Sequence, residues 1–112
     1  MNYVISGKVI KGDGYGKKIG YPTVNLETEN QQLPEDGVYT GVGTLDNIKY
    51  RAGIIIGPNN KVEGYLIGYE GDAYGKMVTL EINKYLREFK KFDTEEELIN
   101  QIKKDIELCK EN

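Results

Sequence analysis

The stretch Gly37-Val38-Tyr39-Thr40-Gly41-Val42-Gly43-Thr44-Leu45-Asp46-Asn47-Ile48-Lys49-Tyr50-Arg51-Ala52-Gly53-Ile54-Ile55-Ile56 holds two β-rich runs split by Asp46-Asn47. Val, Ile, Tyr and Thr suit a pleated, half-buried surface, and Asp-Asn suits the tight turn of a hairpin. Working outward, Gly57-Pro58-Asn59-Asn60 places Pro and Asn where a turn wants fixed or left-handed φ, and Glu70-Gly71-Asp72 supplies another reversal. These signals predict strands at 3–10, 22–26, 37–45, 48–56, 61–69 and 76–86. Val78, Leu80, Ile82 and Leu86 fall on one face of the last strand, with Thr79, Glu81 and Asn83 on the other. Six short strands with abundant glycine predict a small antiparallel barrel or sandwich. Gly41, Gly43, Gly64 and Gly68 fall inside predicted strands, where glycine marks bulges, corners or close approaches.

Near residue 93 the pattern changes to a helix over about 94–110. Thr94-Glu95-Glu96-Glu97 matches a capping box, and its acids complement the positive end of the helix dipole. Leu98, Ile99, Ile102, Ile106 and Cys109 make an apolar stripe at helical spacing, so Cys109 reads as a small core residue. No internal repeat or low-complexity linker interrupts residues 1–112, which are expected to form one domain.

Composition narrows the chemistry. The 112 residues include 14 Gly, 9 Tyr, one Cys and no His or Trp. One cysteine excludes an internal disulfide and a multi-thiolate zinc site. Without histidine, Ser-His and Cys-His catalysis and His-ligated metals are excluded, so acid–base work falls to Asp, Glu, Lys or Tyr. A metal would be a hard ion on oxygen ligands, which favours magnesium. A net charge of −3 argues against a general nucleic-acid binder. No apolar run approaches the length of a membrane span, and the N-terminus lacks the basic region of a signal peptide, so a cytoplasmic protein is expected.

Four segments can carry chemistry. In Gly12-Asp13-Gly14-Tyr15-Gly16-Lys17-Lys18, alternate glycines free backbone amides to face an anion and lysines flank them. It lacks the Gly-Lys-Ser/Thr of a Walker A loop and can equally be a flexible barrel connection. Thr23 and Asn25, two apart, share one face of an extended segment and offer neutral oxygens to magnesium on nucleotide phosphates; a strand start with a turn-forming Asn is the plainer alternative. Glu63 lies in a predicted strand with Tyr65, Ile67 and Tyr69 on its face, and is either a general base in a pocket or a solvated carboxylate. Arg87, Phe89 and Phe92 either cover a planar heterocycle or plug the strand-to-helix link.

Taken in order, Gly7-Lys8-Val9, Gly12, Gly14-Tyr15-Gly16-Lys17, Gly20-Tyr21-Pro22-Thr23-Val24-Asn25-Leu26, Leu33-Pro34, Gly37-Val38-Tyr39, Ile56-Gly57 and Val62-Glu63 resemble the riboflavin kinase (flavokinase) family. Gly71-Asp72-Ala73-Tyr74-Gly75-Lys76, Leu86-Arg87, Lys91-Phe92-Asp93 and Ile102-Lys103-Lys104-Asp105-Ile106 continue the resemblance, which covers nearly the whole chain. It is the kinase module of bacterial bifunctional riboflavin kinase/FAD synthetases that the chain resembles. The resemblance implies a six-stranded antiparallel, Greek-key-like barrel with a C-terminal helix. It implies transfer of the ATP γ-phosphoryl group to the 5′-hydroxyl of riboflavin, giving FMN and ADP, with Mg²⁺ as cofactor. On that basis Thr23 and Asn25 would hold magnesium and nucleotide phosphates, and Gly12, Gly14, Gly16 and Lys17 would cover the phosphates. Glu63 would be the base, and Arg87 and Phe92 would approach the flavin. Small-molecule substrates, no nucleic acid, no membrane and a monomeric state are the expectations for partners.

The sequence departs from the family pattern near Glu63. Ile55 stands where an Asn is usual, and only Pro58-Asn59-Asn60-Lys61 remain of a longer loop. Lys17 replaces an Arg, which keeps the charge and loses the bidentate fork. Tyr65 and Gly68 stand where His and Asp are common. The adenylyltransferase half of the bifunctional enzymes is missing, so FAD synthesis is not expected. Two alternatives to the enzyme stay open: a non-catalytic flavin- or nucleotide-binding regulatory module of this fold, and a small β-barrel interaction domain with no flavin.

Overall fold

Asp46 and Asn47 both adopt left-handed φ, 52° and 64°, and pair Leu45 with Ile48 across a two-residue hairpin turn. This turn joins β3 (Gly37–Leu45) to β4 (Ile48–Gly57) in the computed structural model, which describes residues 3–12, 14–29 and 31–111. Asp13 of the glycine loop therefore lies outside the described residues. A second reversal, Pro58–Asn60, joins β4 to β5 (Lys61–Leu66), and Asn59 and Asn60 take φ of 62° and 59° there. With β1 (Tyr3–Ile10), β2 (Val24–Leu26) and β6 (Met77–Arg87), the strands close an antiparallel barrel in the order β1-β2-β5-β4-β3-β6. Closure removes sheet edges and decides for the barrel between the two architectures that the strand pattern allowed.

Alternation fills the interior. Ile5, Ala52, Ile54, Ile56, Val62, Val78, Leu80 and Ile82 are each 1% exposed or less. Burying one such aliphatic side chain contributes about 1.5–3 kcal/mol, so the layer dominates the stability of the barrel. Gly43 and Gly64 flank the Leu80 side chain from two strands, where any Cβ would crowd it. β2 is only three residues long and leaves the first half of β1 unpaired on that side. The Gln31 side chain closes this seam: Oε1 accepts from Ser6 N at 3.0 Å, and Nε2 donates to Ser6 O at 2.6 Å.

The helix α2 (Glu95–Glu111) lies against β4 and β3. The Thr94 hydroxyl accepts from Glu97 N at 3.1 Å, as the capping box predicts. Cys109 is 1% exposed, and its Sγ sits 3.5 Å from where a Gly53 Cβ would be, so the glycine lets the helix approach the strand.

Several predicted elements change. The strand expected over 22–26 begins at Val24, because Pro22 has no amide to pair. The strand expected over 61–69 stops at Leu66, so Gly68 is a turn residue with φ 90° and not a strand residue. Tyr69 turns to the core and stacks edge-on with Tyr50 at 5.5 Å, so it does not share the Glu63 face. Register shifts in the β3–β6 pairing interrupt the alternation at the end of β6, which leaves Leu86 half-buried. The glycine loop contains one helical turn, α1 (Tyr15–Lys18), that the pattern did not announce.

Candidate functional site

Strand register builds the site on the outer surface of the barrel. Val62, Gly64 and Leu66 face inward on β5, so Lys61, Glu63 and Tyr65 face outward. On β2, Leu26 is buried in the core and Val24 packs against it, which turns Asn25 outward. Asn25 and Glu63 are direct partners across β2 and β5. Thr23, two residues before Asn25, donates its hydroxyl hydrogen to Glu63 Oε1 at 3.0 Å. The β2–β5 register thus brings Thr23, Asn25 and Glu63 together.

The glycine loop crosses above them. A Cβ on Gly12 would overlap the Asn25 side-chain amide, so glycine permits the loop to pass directly over Asn25. Gly14 takes φ 74° at the entry to α1. Gly12, Gly14, Gly16, Lys17, Thr23 and Asn25 all line one cavity of about 700 Å³, inside the size range of small-ligand sites. Its far wall is the 69–74 loop, which was expected as a chain reversal and not as part of a site. Asp72 Oδ1 accepts from Tyr74 N at 2.9 Å, and Lys11 Nζ lies 5.9 Å from the Tyr74 ring centre. A second cavity, of about 460 Å³, is lined by Glu27, Asn60 and Lys61 and shares Gly12 and Asn25 with the first. The two spaces therefore meet beside Asn25, the strand partner of Glu63, and Glu63 itself lines neither.

Arg87 and Phe92 meet each other elsewhere. The Arg87 guanidinium carbon lies 5.7 Å from the Phe92 ring centre, and neither residue lines the two cavities. Arg87 donates through Nε and NH2 to Asp105, the shortest contact being 2.8 Å, and through NH1 to Glu88 O at 3.1 Å. Gln101 Nε2 adds a bond to Asp105 Oδ1 at 3.0 Å. This network ties the end of β6 to α2 at the strand-to-helix link.

Sequence reasoning gave no role to Asp105, Lys61 or the Tyr21–Tyr65 pair, whose rings meet edge-to-face at 5.9 Å. Lys61 had a legible signal, because it stands two positions before Glu63 on a strand and so shares its face. Asp105 had one too: an acid inside the apolar stripe of a helix needs a buried partner.

The donor set fits a hard cation in part. Thr23 and Asn25 supply neutral oxygens beside one carboxylate, and a hydroxyl that donates to Glu63 keeps lone pairs for an ion. Among the described residues, no cluster of three or more Asp, Glu, Cys or His can hold a metal by itself. Such a site suits an ion that arrives on phosphates, with one or two protein ligands.

A riboflavin kinase (Flavokinase) family model matches residues 1–112. The chain belongs to the riboflavin kinase family. Its relatives include the RNA-binding riboflavin kinase RibR of Bacillus subtilis, 34% identical over 92% of this chain and 48% of that protein. They also include the bifunctional riboflavin kinase/FMN adenylyltransferase of Escherichia coli, 32% identical over 92% of this chain and 36% of that enzyme. The chain thus spans less than half the length of these relatives. The crystal structure of riboflavin kinase from Trypanosoma brucei shares the fold, with a TM-score of 0.78 and 23% identity over 98% of this chain and 76% of that one. Among the described residues of this family member, no helix is long and apolar enough to cross a membrane.

Proposed function

We propose that the chain is a riboflavin kinase, transferring the γ-phosphoryl group of ATP to the 5′-hydroxyl of riboflavin to give FMN and ADP. The supporting observation is the Thr23–Glu63 hydrogen bond of 3.0 Å, set beside Asn25 where two cavities meet. The nucleotide occupies the larger cavity, with Gly12–Lys17 over its phosphates and the Lys17 charge close to them. Thr23 and Asn25 hold the magnesium that arrives with the nucleotide. That ion, when bound, neutralises charge on the phosphate oxygens. Glu63 accepts the proton of the riboflavin hydroxyl as that oxygen bonds to the γ-phosphorus, and the bond to the ADP oxygen breaks. Arg87 and Phe92 form an apolar-faced wall for the flavin at the β6–α2 link, with the guanidinium held in place by Asp105. Positioning and charge stabilisation supply most of such a rate enhancement, so the absence of histidine is no obstacle. We place this activity in a monomer in the cytoplasm.

A second reading, a flavin- or nucleotide-binding module without turnover, draws on the three-residue turn Pro58–Asn60 that stands where a longer loop is usual. The RNA binding named for the Bacillus subtilis relative is not carried over, because a net charge of −3 lacks the electrostatic footprint for it. Incubation with riboflavin, magnesium and ATP, followed by chromatography, separates the readings. FMN should form, and Glu63→Gln should cut kcat about 10²-fold, the scale of a positioned base. Riboflavin binding without turnover, for ATP and other nucleotides, would establish the second reading instead.

A further inference from the structure

The Glu63 carboxylate is approached from two sides. Thr23 donates to Oε1, while Lys61 Nζ lies 3.7 Å from Oε2. The Glu63 side chain is only 19% exposed, so these neighbours replace much of its water. Its β4 partner, Ile55, offers no donor.

Lys61 is placed by the same short turn that departs from the family pattern. Pro58 fixes the entry, Asn59 and Asn60 take left-handed φ, and Thr28 Oγ1 donates to Asn60 O at 3.2 Å. Lys61 then opens β5 in register with Gly57, on the same strand face as Glu63. Lys61 also lines the smaller cavity, the one that shares Asn25 with the larger cavity.

We propose that Lys61 is a positioning residue for the transfer, holding the second oxygen of Glu63 while Thr23 holds the first. The final torsion of a glutamate is broad and nearly free, so one contact leaves the carboxylate able to swing. A hydrogen bond on one oxygen and an ion pair on the other restrict that swing and leave lone pairs for the riboflavin hydroxyl. With the Lys61 side chain 48% exposed, the pair adds little to stability, and its worth lies in geometry. The inference rests on the kinase reading above.

The test is a double-mutant cycle on the whole chain with Lys61→Met and Glu63→Gln, read by steady-state kinetics. Lys61→Met should lower kcat about tenfold while both KM values stay within about twofold, because on this proposal the lysine acts through Glu63. Lys61→Arg should recover at least half of the rate. In the Glu63→Gln background, Lys61→Met should change kcat by less than about twofold, the mark of two residues acting as one unit. Lys61→Gln serves as a second neutral variant, with circular dichroism as the check on folding. A wild-type rate in the neutral variants, or the same tenfold loss on top of Glu63→Gln, would overturn the role of Lys61 alone. Failure of the wild-type chain to make FMN would instead sink the kinase reading and this inference with it.

Discussion

Gly12 shows how one missing Cβ shapes the site. The loop backbone passes so close to Asn25 that any side chain at Gly12 must push the amide aside. Gly12→Ala therefore displaces a residue proposed to hold the magnesium–nucleotide complex, without touching the acceptor side. We expect the KM for magnesium–ATP to rise about tenfold or more, as small displacements of positioning groups do, with the KM for riboflavin unchanged. A magnesium titration at fixed riboflavin checks this, and an unaltered dependence would show that the close approach is merely packing. The side chains at Thr23, Asn25 and Glu63 were legible from spacing along strands, because period-2 geometry assigns faces without tertiary knowledge. Their convergence was not legible, since Thr23 and Glu63 are 40 residues apart in sequence and meet only through the β2–β5 register.

At the scale of elements, the β6–α2 junction holds a cluster that the helix pattern concealed. Asp105 is 8% exposed within an otherwise apolar stripe and receives Arg87 and Gln101. An isolated buried carboxylate is costly, and the bidentate guanidinium is what makes the position tolerable. Asp105→Ala leaves Arg87 without its partner and should destabilise the protein by roughly 3 kcal/mol, toward the lower end for breaking a buried pair. Urea unfolding measures it, and a loss under about 1 kcal/mol would class the pair as a surface contact. The helix and its cap were legible because capping is local. The early end of β5 was not, because Ile67-Gly68-Tyr69 has strand composition while Tyr69 is drawn to Tyr50 in the core. The helical turn Tyr15–Lys18 was hidden for a similar reason: Gly16 within it lowers helix propensity, and only the surrounding loop imposes the turn.

For the molecule as a whole, the barrel and helix enclose Cys109 from both sides. Burial first, and then the nearby Asp105, push its thiol up from 9.0 to about 11. The folded state therefore favours the protonated thiol more than the unfolded chain does. Its contribution is fully present below about pH 9 and is lost as pH rises toward 11. The stability difference between wild type and Cys109→Val should accordingly shift against the wild type between pH 8 and pH 10.5, as read by urea unfolding. A difference independent of pH would contradict the burial of the thiol. Barrel closure itself was legible only as one of two architectures, because strand number and turn spacing do not distinguish a barrel from a sandwich.

The pairing of β1 with β6 has a kinetic consequence. Tyr3 aligns with Ile82, so the first strand finds its partner only after most of the chain is available. Hairpins such as β3–β4 need only local closure and form early, whereas a ladder between distant segments must overcome a large loop entropy and forms late. The glycine loop leaves the barrel from Ile10, at the end of that late strand, and Val9 N bonds to Lys76 O at 2.8 Å while Gly75 N bonds to Val9 O at 2.9 Å. Both walls of the larger cavity are thus fastened by that seam. An incompletely closed barrel therefore has a core but no finished cavity.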